Sequence, residues 1–219
     1  MMTDVQRLAL IRHGETEAND AQLAYGRLES PLNPRGIEQV RSTAEALNAQ
    51  ATAFHHIVSS PLGRARETAS IIADALNLEI TIEDDIVECD LGDWEGITYQ
   101  QMHERGYAIK SVRDDHFRDH GGETPFEISE RVSAAILKHL TQNASKNLIF
   151  VGHGGAFANG LSALFAEGPR FGPKYLMHNA AITELVLKPE PELLRLNNYA
   201  HLPKSLQNES RRPDNAQQA

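Results

Sequence analysis

The 219-residue chain is poor in cysteine, in aromatic residues and in positive charge. One cysteine, Cys89, excludes an internal disulfide framework, and a cytoplasmic location is the expectation that follows. Lysine and arginine number 21 against 30 aspartates and glutamates, a formal charge of −9. That balance argues against broad binding to nucleic acid or to an anionic membrane. An anionic substrate therefore needs a local positive site, held against an unfavourable global field. No stretch approaches membrane-spanning length, and the opening Met-Met-Thr-Asp-Val-Gln-Arg has no apolar signal core. With 41% hydrophobic and 23% charged residues, the composition is that of an ordinary globular protein. One well-buried domain over residues 1–202 is expected, followed by an Asn/Gln/Ser/Arg-rich tail, 203–219, with the composition of a disordered segment.

Apolar runs and helical periodicities alternate along the chain. Leu8 to Ile11, His56 to Ser59 and Leu148 to Val151 read as short buried strands, and Ala181 to Leu187 and Leu193 to Asn198 as two late ones, with Pro189 and Pro191 between them. Asn33-Pro34 is a helix start, and Ile37, Val40, Ala44 and Leu47 follow at helical spacing. Ala65, Ala69, Ile72 and Leu76 mark a second amphipathic helix, Phe126 to Gln142 a third, and Gly155 to Phe165 a fourth. This alternation predicts an α/β three-layer sandwich with a mostly parallel central sheet. Residues 86–122 break it, being polar and aromatic with weak periodicity, and read as an insert over the sheet edge and the site.

Two histidines end apolar strands. Leu10-Ile11-Arg12-His13-Gly14 and Val151-Gly152-His153-Gly154 both fall where ligands sit in open parallel sheets, beyond the strands' carboxyl ends. A neutral imidazole can attack phosphorus and hold the phosphoryl group covalently, so His13 is the candidate nucleophile. Arg12 adds a charge that disfavours the imidazolium and a fork for two phosphoryl oxygens. The turn Gly14-Glu15-Thr16 opens a helix whose N–H groups are expected to face the anion. Arg64, in the first turn of the helix after Ser59-Ser60, is a second phosphate contact, whereas Arg66 reads as solvated. With His153, these cations would hold the equatorial oxygens. Glu88, just past Ile86-Val87, is chosen as the general acid, although Asp85, Asp90, Asp93 and Glu95 offer the same chemistry.

The order of these segments resembles the histidine phosphatase superfamily, which includes the cofactor-dependent phosphoglycerate mutases, over nearly the whole folded chain. Leu10-Ile11-Arg12-His13-Gly14-Glu15-Thr16-Glu17-Ala18-Asn19 resembles its signature, which implies a phosphate contact for Asn19. Ser60, Arg64-Ala65 and Thr68-Ala69 match the second arginine's segment, and Glu88 falls on the family's acid. Gly121-Gly122-Glu123-Thr124 resembles a Gly-Gly-Glu-Ser element, placing Glu123 with Gly14 and Asn19 among expected substrate contacts. Val151-Gly152-His153-Gly154-Gly155 matches the second-histidine motif, and Asn179 and His201-Leu202 match the closing strands. The mutases carry Arg-His-Tyr-Gly just after their acid; here Cys89-Asp90-Leu91-Gly92-Asp93-Trp94-Glu95-Gly96 resembles the phosphatase branch. The resemblance thus implies a phosphoglycerate mutase-like fold and hydrolysis of a small-molecule phosphomonoester, with no metal and no cofactor. A phosphoglycerate-type mutase and a non-catalytic phospholigand-binding module are the two alternatives.

The remaining candidates carry less. His116 and His120 share a helical spacing but find no third ligand, and both read as solvated, as does His139 off its helix's apolar stripe. Trp94 reads as a packing anchor and Cys89, beside Glu88, as an unreactive thiol. A homodimer is the default form of any self-association.

Overall fold

The structure is a computed structural model and describes residues 6–187 and 190–207. Its centre is a six-stranded sheet of β1 (Gln6–Arg12), β2 (His56–Ser59), β3 (Ile80–Ile82), β4 (Leu148–Gly152), β5 (Ile182–Leu187) and β6 (Pro191–Asn198), in the order β3-β2-β4-β1-β5-β6. The first four positions run parallel, and β5 and β6 close one side antiparallel. The expected α/β sandwich is therefore present. One strand escaped the sequence reading. β3 is an edge strand of three residues, all exposed, so it lacks the buried run that marks the others.

Helices cover both faces, which is why β1 and β4 read as continuous apolar runs. Leu8 and Leu10 of β1 and Leu148 and Phe150 of β4 join one core, with α6 (Pro125–Gln142) and α7 (Gly154–Leu164) over it. Ala9 and Ile11, with Ile149 and Val151, join the other, beneath α2 (Pro34–Asn48) and α3 (Gly63–Leu76). The Asn33 side chain caps α2 by accepting from the Gly36 N–H at 2.7 Å, as the Asn33-Pro34 signal predicts. Thr124 and Glu127 form a reciprocal capping box on α6.

Between β3 and α6 lies the expected insert, with short helices α4 (Tyr99–Glu104) and α5 (Tyr107–Lys110). Its main chain pairs with the segment after β1: Ala24 N–H donates to Ile97 at 2.7 Å and Tyr99 N–H to Gln22 at 2.9 Å. It is thus tied to the strand-end side of the sheet. Trp94, Tyr107, Phe117 and His120 pack against one another inside it in edge-to-face and tilted pairs, and Trp94 is the anchor expected.

Three expectations are corrected. His120 is buried in that aromatic cluster, where it accepts the Gly122 N–H at 3.0 Å. His139 is buried too, because Glu83 meets its Nε2 at 2.7 Å and satisfies a polar group that would otherwise face solvent. Residues 203–207, assigned to a disordered tail, dock instead on α2, where Gln39 donates to Leu206 and Arg35 to Ser205 and Gln207. The rest of that tail, 208–219, and Pro189 lie outside the described residues. Among the described residues, no helix is long and apolar enough to cross a membrane.

Gly36 shows how tightly α2 meets the turn after β1: a Cβ there would lie 2.0 Å from the Glu15 carbonyl oxygen, a backbone atom. Gly36→Ala is expected to destabilise the fold by about 1–3 kcal/mol, read as a lower denaturant midpoint at unchanged m-value.

Candidate active site

β1 and β4 pair in parallel with Arg12 opposite Gly152, and the His13 N–H donates to the Gly152 carbonyl at 2.9 Å. The two strands therefore deliver His13 and His153 side by side, with ring centroids 5.3 Å apart. Gly152 is required here, because a Cβ would sit 2.6 Å from the Phe157 ring. β2 ends beside β4, and the Ser60 hydroxyl lies 2.7 Å from His153 Nε2. Arg64, in the first turn of α3, is the largest of the fully buried side chains.

His13 Nδ1 lies 2.7 Å from the Gly14 carbonyl oxygen. A carbonyl only accepts, so Nδ1 carries the proton and Nε2 keeps its lone pair. Burial is the largest influence holding the His13 pKa well below 6.5, followed by the charges of Arg64 and Arg12. The same causes, burial first and Arg64 next, depress His153, to which His13 and Arg12 add. Both imidazoles are neutral at neutral pH. For His153 to offer a donor to an oxyanion, Ser60 must donate to Nε2, which puts the proton on Nδ1. That nitrogen is buried and finds no partner among the described residues.

Among the described residues, neither Arg12 nor Arg64 forms an ion pair with a carboxylate. Arg12 Nη1 donates to the Met177 carbonyl at 2.7 Å, and Arg64 donates to Leu28 at 2.9 Å and to Gly26 at 2.6 Å. The Tyr25 ring stacks on Arg64, 4.6 Å from the guanidinium carbon to the centroid. The Nε of each arginine is buried and finds no hydrogen-bond partner among the described residues. Two cationic groups and three unspent N–H or imidazole positions thus converge around His13, a donor set suited to a tetrahedral oxyanion.

Glu88 sits at the start of α7. Its Oε1 accepts from the Cys89 and Ala156 N–H groups at 2.9 and 2.7 Å, and Oε2 from Gly155 at 3.2 Å. A Cβ on Gly155 would come within 2.9 Å of Oε1, and one on Gly154 within 3.3 Å of Arg12 Nε, so both glycines let the site close on the helix. Tyr99, at the start of α4, keeps 38% of its surface exposed. Cys89 is pushed well above its ordinary value by burial and then by Glu88.

The other expected contacts are placed less directly. The Asn19 side-chain oxygen accepts from Thr16 N–H, the Tyr25 hydroxyl and Asn179 Nδ2 at 3.0–3.2 Å. Gly14 N–H donates to Thr68 at 3.2 Å. The helix it was expected to open, α1 (Glu17–Asp20), spends its first N–H groups on Pro31, Ser30 and Thr16, so it presents no anion site. Both Glu123 oxygens bond to Arg131. Arg66 is exposed, as expected. Tyr25 was not singled out in the sequence, and Ser60 was given no role there. Neither residue type at its position signals a contact to a group so distant in sequence.

Two buried histidines thus stand at the ends of parallel strands beside two arginines that, among the described residues, meet no carboxylate, the arrangement expected of a histidine phosphatase. The sequence profile of the histidine phosphatase superfamily (branch 1) matches residues 8–199, and the chain belongs to that family. It is 31% identical over 169 residues to a glucosyl-3-phosphoglycerate phosphatase of Mycolicibacterium vanbaalenii, covering 73% of this chain and 74% of the relative. It is also 31% identical over 190 residues to a probable phosphoglycerate mutase of an Enterobacter species, covering 84% and 86%. A phosphoserine phosphatase variant of Entamoeba histolytica, solved with phosphoserine, superposes with a TM-score of 0.82 at 29% identity, over 90% of this chain and 100% of that one.

The depressed histidines predict a pH dependence. Neutral in the fold but protonated below pH 6.5 when unfolded, His13 and His153 contribute stability above that value and lose it as the pH falls towards their folded pKa values. NMR titration is expected to find His13 neutral below pH 6.5, and Arg64→Met is expected to raise its pKa without restoring 6.5, since burial is the larger cause.

Proposed function

We propose that the chain is a phosphomonoester hydrolase that acts on a small phosphorylated metabolite through a phosphohistidine at His13. The observation that carries this reading is the buried His13, its Nδ1 proton tied to Gly14, set beside the buried Arg64 and the half-buried Arg12, which no carboxylate among the described residues neutralises. A resident carboxylate would have quenched the charge that an incoming phosphoryl group needs.

The reaction runs in two halves. His13 Nε2 attacks phosphorus in line, the bond from phosphorus to the ester oxygen breaks, and Glu88 gives its proton to the departing alkoxide. Glu88, now a carboxylate, takes a proton from water, the water oxygen attacks phosphorus, and the bond from phosphorus to nitrogen breaks to release inorganic phosphate and free His13. Arg12, Arg64, Asn19 and His153 hold the equatorial oxygens throughout. The charge is supplied by side chains, so the reaction proceeds without a metal. The relatives named for phosphatase activity on small phosphorylated compounds support the substrate class.

A mutase reading draws on the Enterobacter relative. It requires the phosphohistidine to outlast product exchange. The run Cys89-Asp90-Leu91-Gly92 after Glu88 lacks the cationic Arg-His-Tyr-Gly element with which a mutase would retain a second anionic group, which favours hydrolysis.

Hydrolysis of 4-nitrophenyl phosphate is expected to survive chelator and to vanish in His13→Ala. Glu88→Ala is expected to slow turnover of an alkyl phosphate by about 10²–10⁴-fold. Turnover in His13→Ala at the wild-type rate would overturn the nucleophile. Phosphate exchange that depends on a bisphosphate primer, without net hydrolysis, would select the mutase.

A further inference from the structure

The acid at position 88 is carried on a segment with no strand or helix of its own beyond a single 3₁₀ turn, Asp84–Ile86. Proton transfer needs that carboxyl within hydrogen-bond reach of the ester oxygen, and an error of about 1 Å can cost on the order of 10²-fold in rate. Something must hold the main chain of this segment, and the helix start at Gly155 and Ala156 holds only the side chain.

Arg131, on α6, fills that need. A guanidinium has five N–H donors in a fixed plane, and here each has an acceptor. Nε and Nη2 fork onto the two oxygens of Glu123 at 2.7 and 2.8 Å. Nη1 donates to the carbonyls of Asp85 and Val87 at 2.9 and 2.8 Å, and Nη2 also reaches the carbonyl of Glu88 at 3.3 Å. Glu123 binds the far side of the same segment: its Oε2 accepts the Asp90 N–H and its own N–H donates to the Asp90 carbonyl, both at 3.0 Å. Arg27 adds an ion pair to Glu123 at 3.1 Å. The pair is largely buried, with 16% and 18% of the two side chains exposed. Burial alone would raise the Glu123 carboxyl, but the Arg131 hydrogen bonds and charge more than offset it and hold it below the usual carboxylate range.

We propose that Arg131 and Glu123 are positioning residues for the general acid, a planar clamp that fixes the main chain at 85, 87, 88 and 90 so that Glu88 meets the leaving oxygen. This rests on the phosphatase reading above. It also accounts for Glu123 without a substrate contact, since its oxygens are spent within the clamp. Lysine cannot replace Arg131, because an ammonium presents three donors without the fork.

The test is sensitivity to the leaving group. An alkyl alcohol needs protonation to depart, whereas 4-nitrophenolate leaves unaided. For Arg131→Lys and Glu123→Gln, kcat/KM for an alkyl phosphate is expected to fall by about 10²-fold and for 4-nitrophenyl phosphate by only a few-fold. Affinity for inorganic phosphate, measured by calorimetry, is expected to hold, since Arg12, Arg64 and His153 are untouched. Equal falls on the two substrates, or no fall on either, would overturn the clamp. Glu123→Gln, which keeps size and shape, decides the matter if Arg131→Lys does not fold. A wild type that hydrolyses neither substrate would overturn the phosphatase reading itself, and the two failures are thereby told apart.

Discussion

Everything at the site depends on the parallel pairing of β1 with β4. Register in a sheet is all-or-none, because a slip of one residue sends every side chain to the other face. With Leu8 on Leu148 and Arg12 on Gly152, Leu10 and Phe150 fill one core while Ile11 and Val151 fill the other. The same register brings His13 and His153 to one strand end. Burial of two apolar faces thus fixes the geometry of the chemistry, and no separate device is needed to bring the histidines together.

That geometry carries a cost. A guanidinium taken out of water loses solvation worth on the order of several kcal/mol, and a carboxylate partner is the usual remedy. Here the remedy is withheld: backbone carbonyls of Met177, Leu28 and Gly26 and the Tyr25 ring hold Arg12 and Arg64 in place without cancelling their charge. Burial first, and then the field they leave, holds both imidazoles well below their ordinary pKa, and that field is the local positive site an anion would need on a protein whose net charge is −9. The acidic surroundings lie one layer out. Glu123 and Asp90 are turned towards Arg131 and Arg27, where they shape the segment that carries Glu88.

Much of this was legible in the sequence, for a physical reason. Strand ends are marked by apolar runs stopping at a glycine or serine turn, so Arg12, His13 and His153 could be placed at strand ends, and Arg64 in the helix turn that follows one, without coordinates. What was not legible depends on contacts between distant segments. His139 lies off its helix's apolar stripe, and only Glu83, from the end of β3, makes its burial tolerable. His120 reads as solvated until Trp94 and Phe117 fold around it. β3 is short and exposed on an edge, so it lacks a buried run to reveal it. Arg131 looks like a surface charge on an amphipathic helix, and its five acceptors come from two other segments.

The most direct test of the account is to find where the phosphoryl group rests. Rapid mixing with substrate, alkaline quench and peptide mass mapping is predicted to recover one phosphoryl group on His13, bonded at Nε2, appearing and decaying within a single turnover. A phosphoryl group on any other residue, or none on the protein while product forms at the normal rate, would contradict the account.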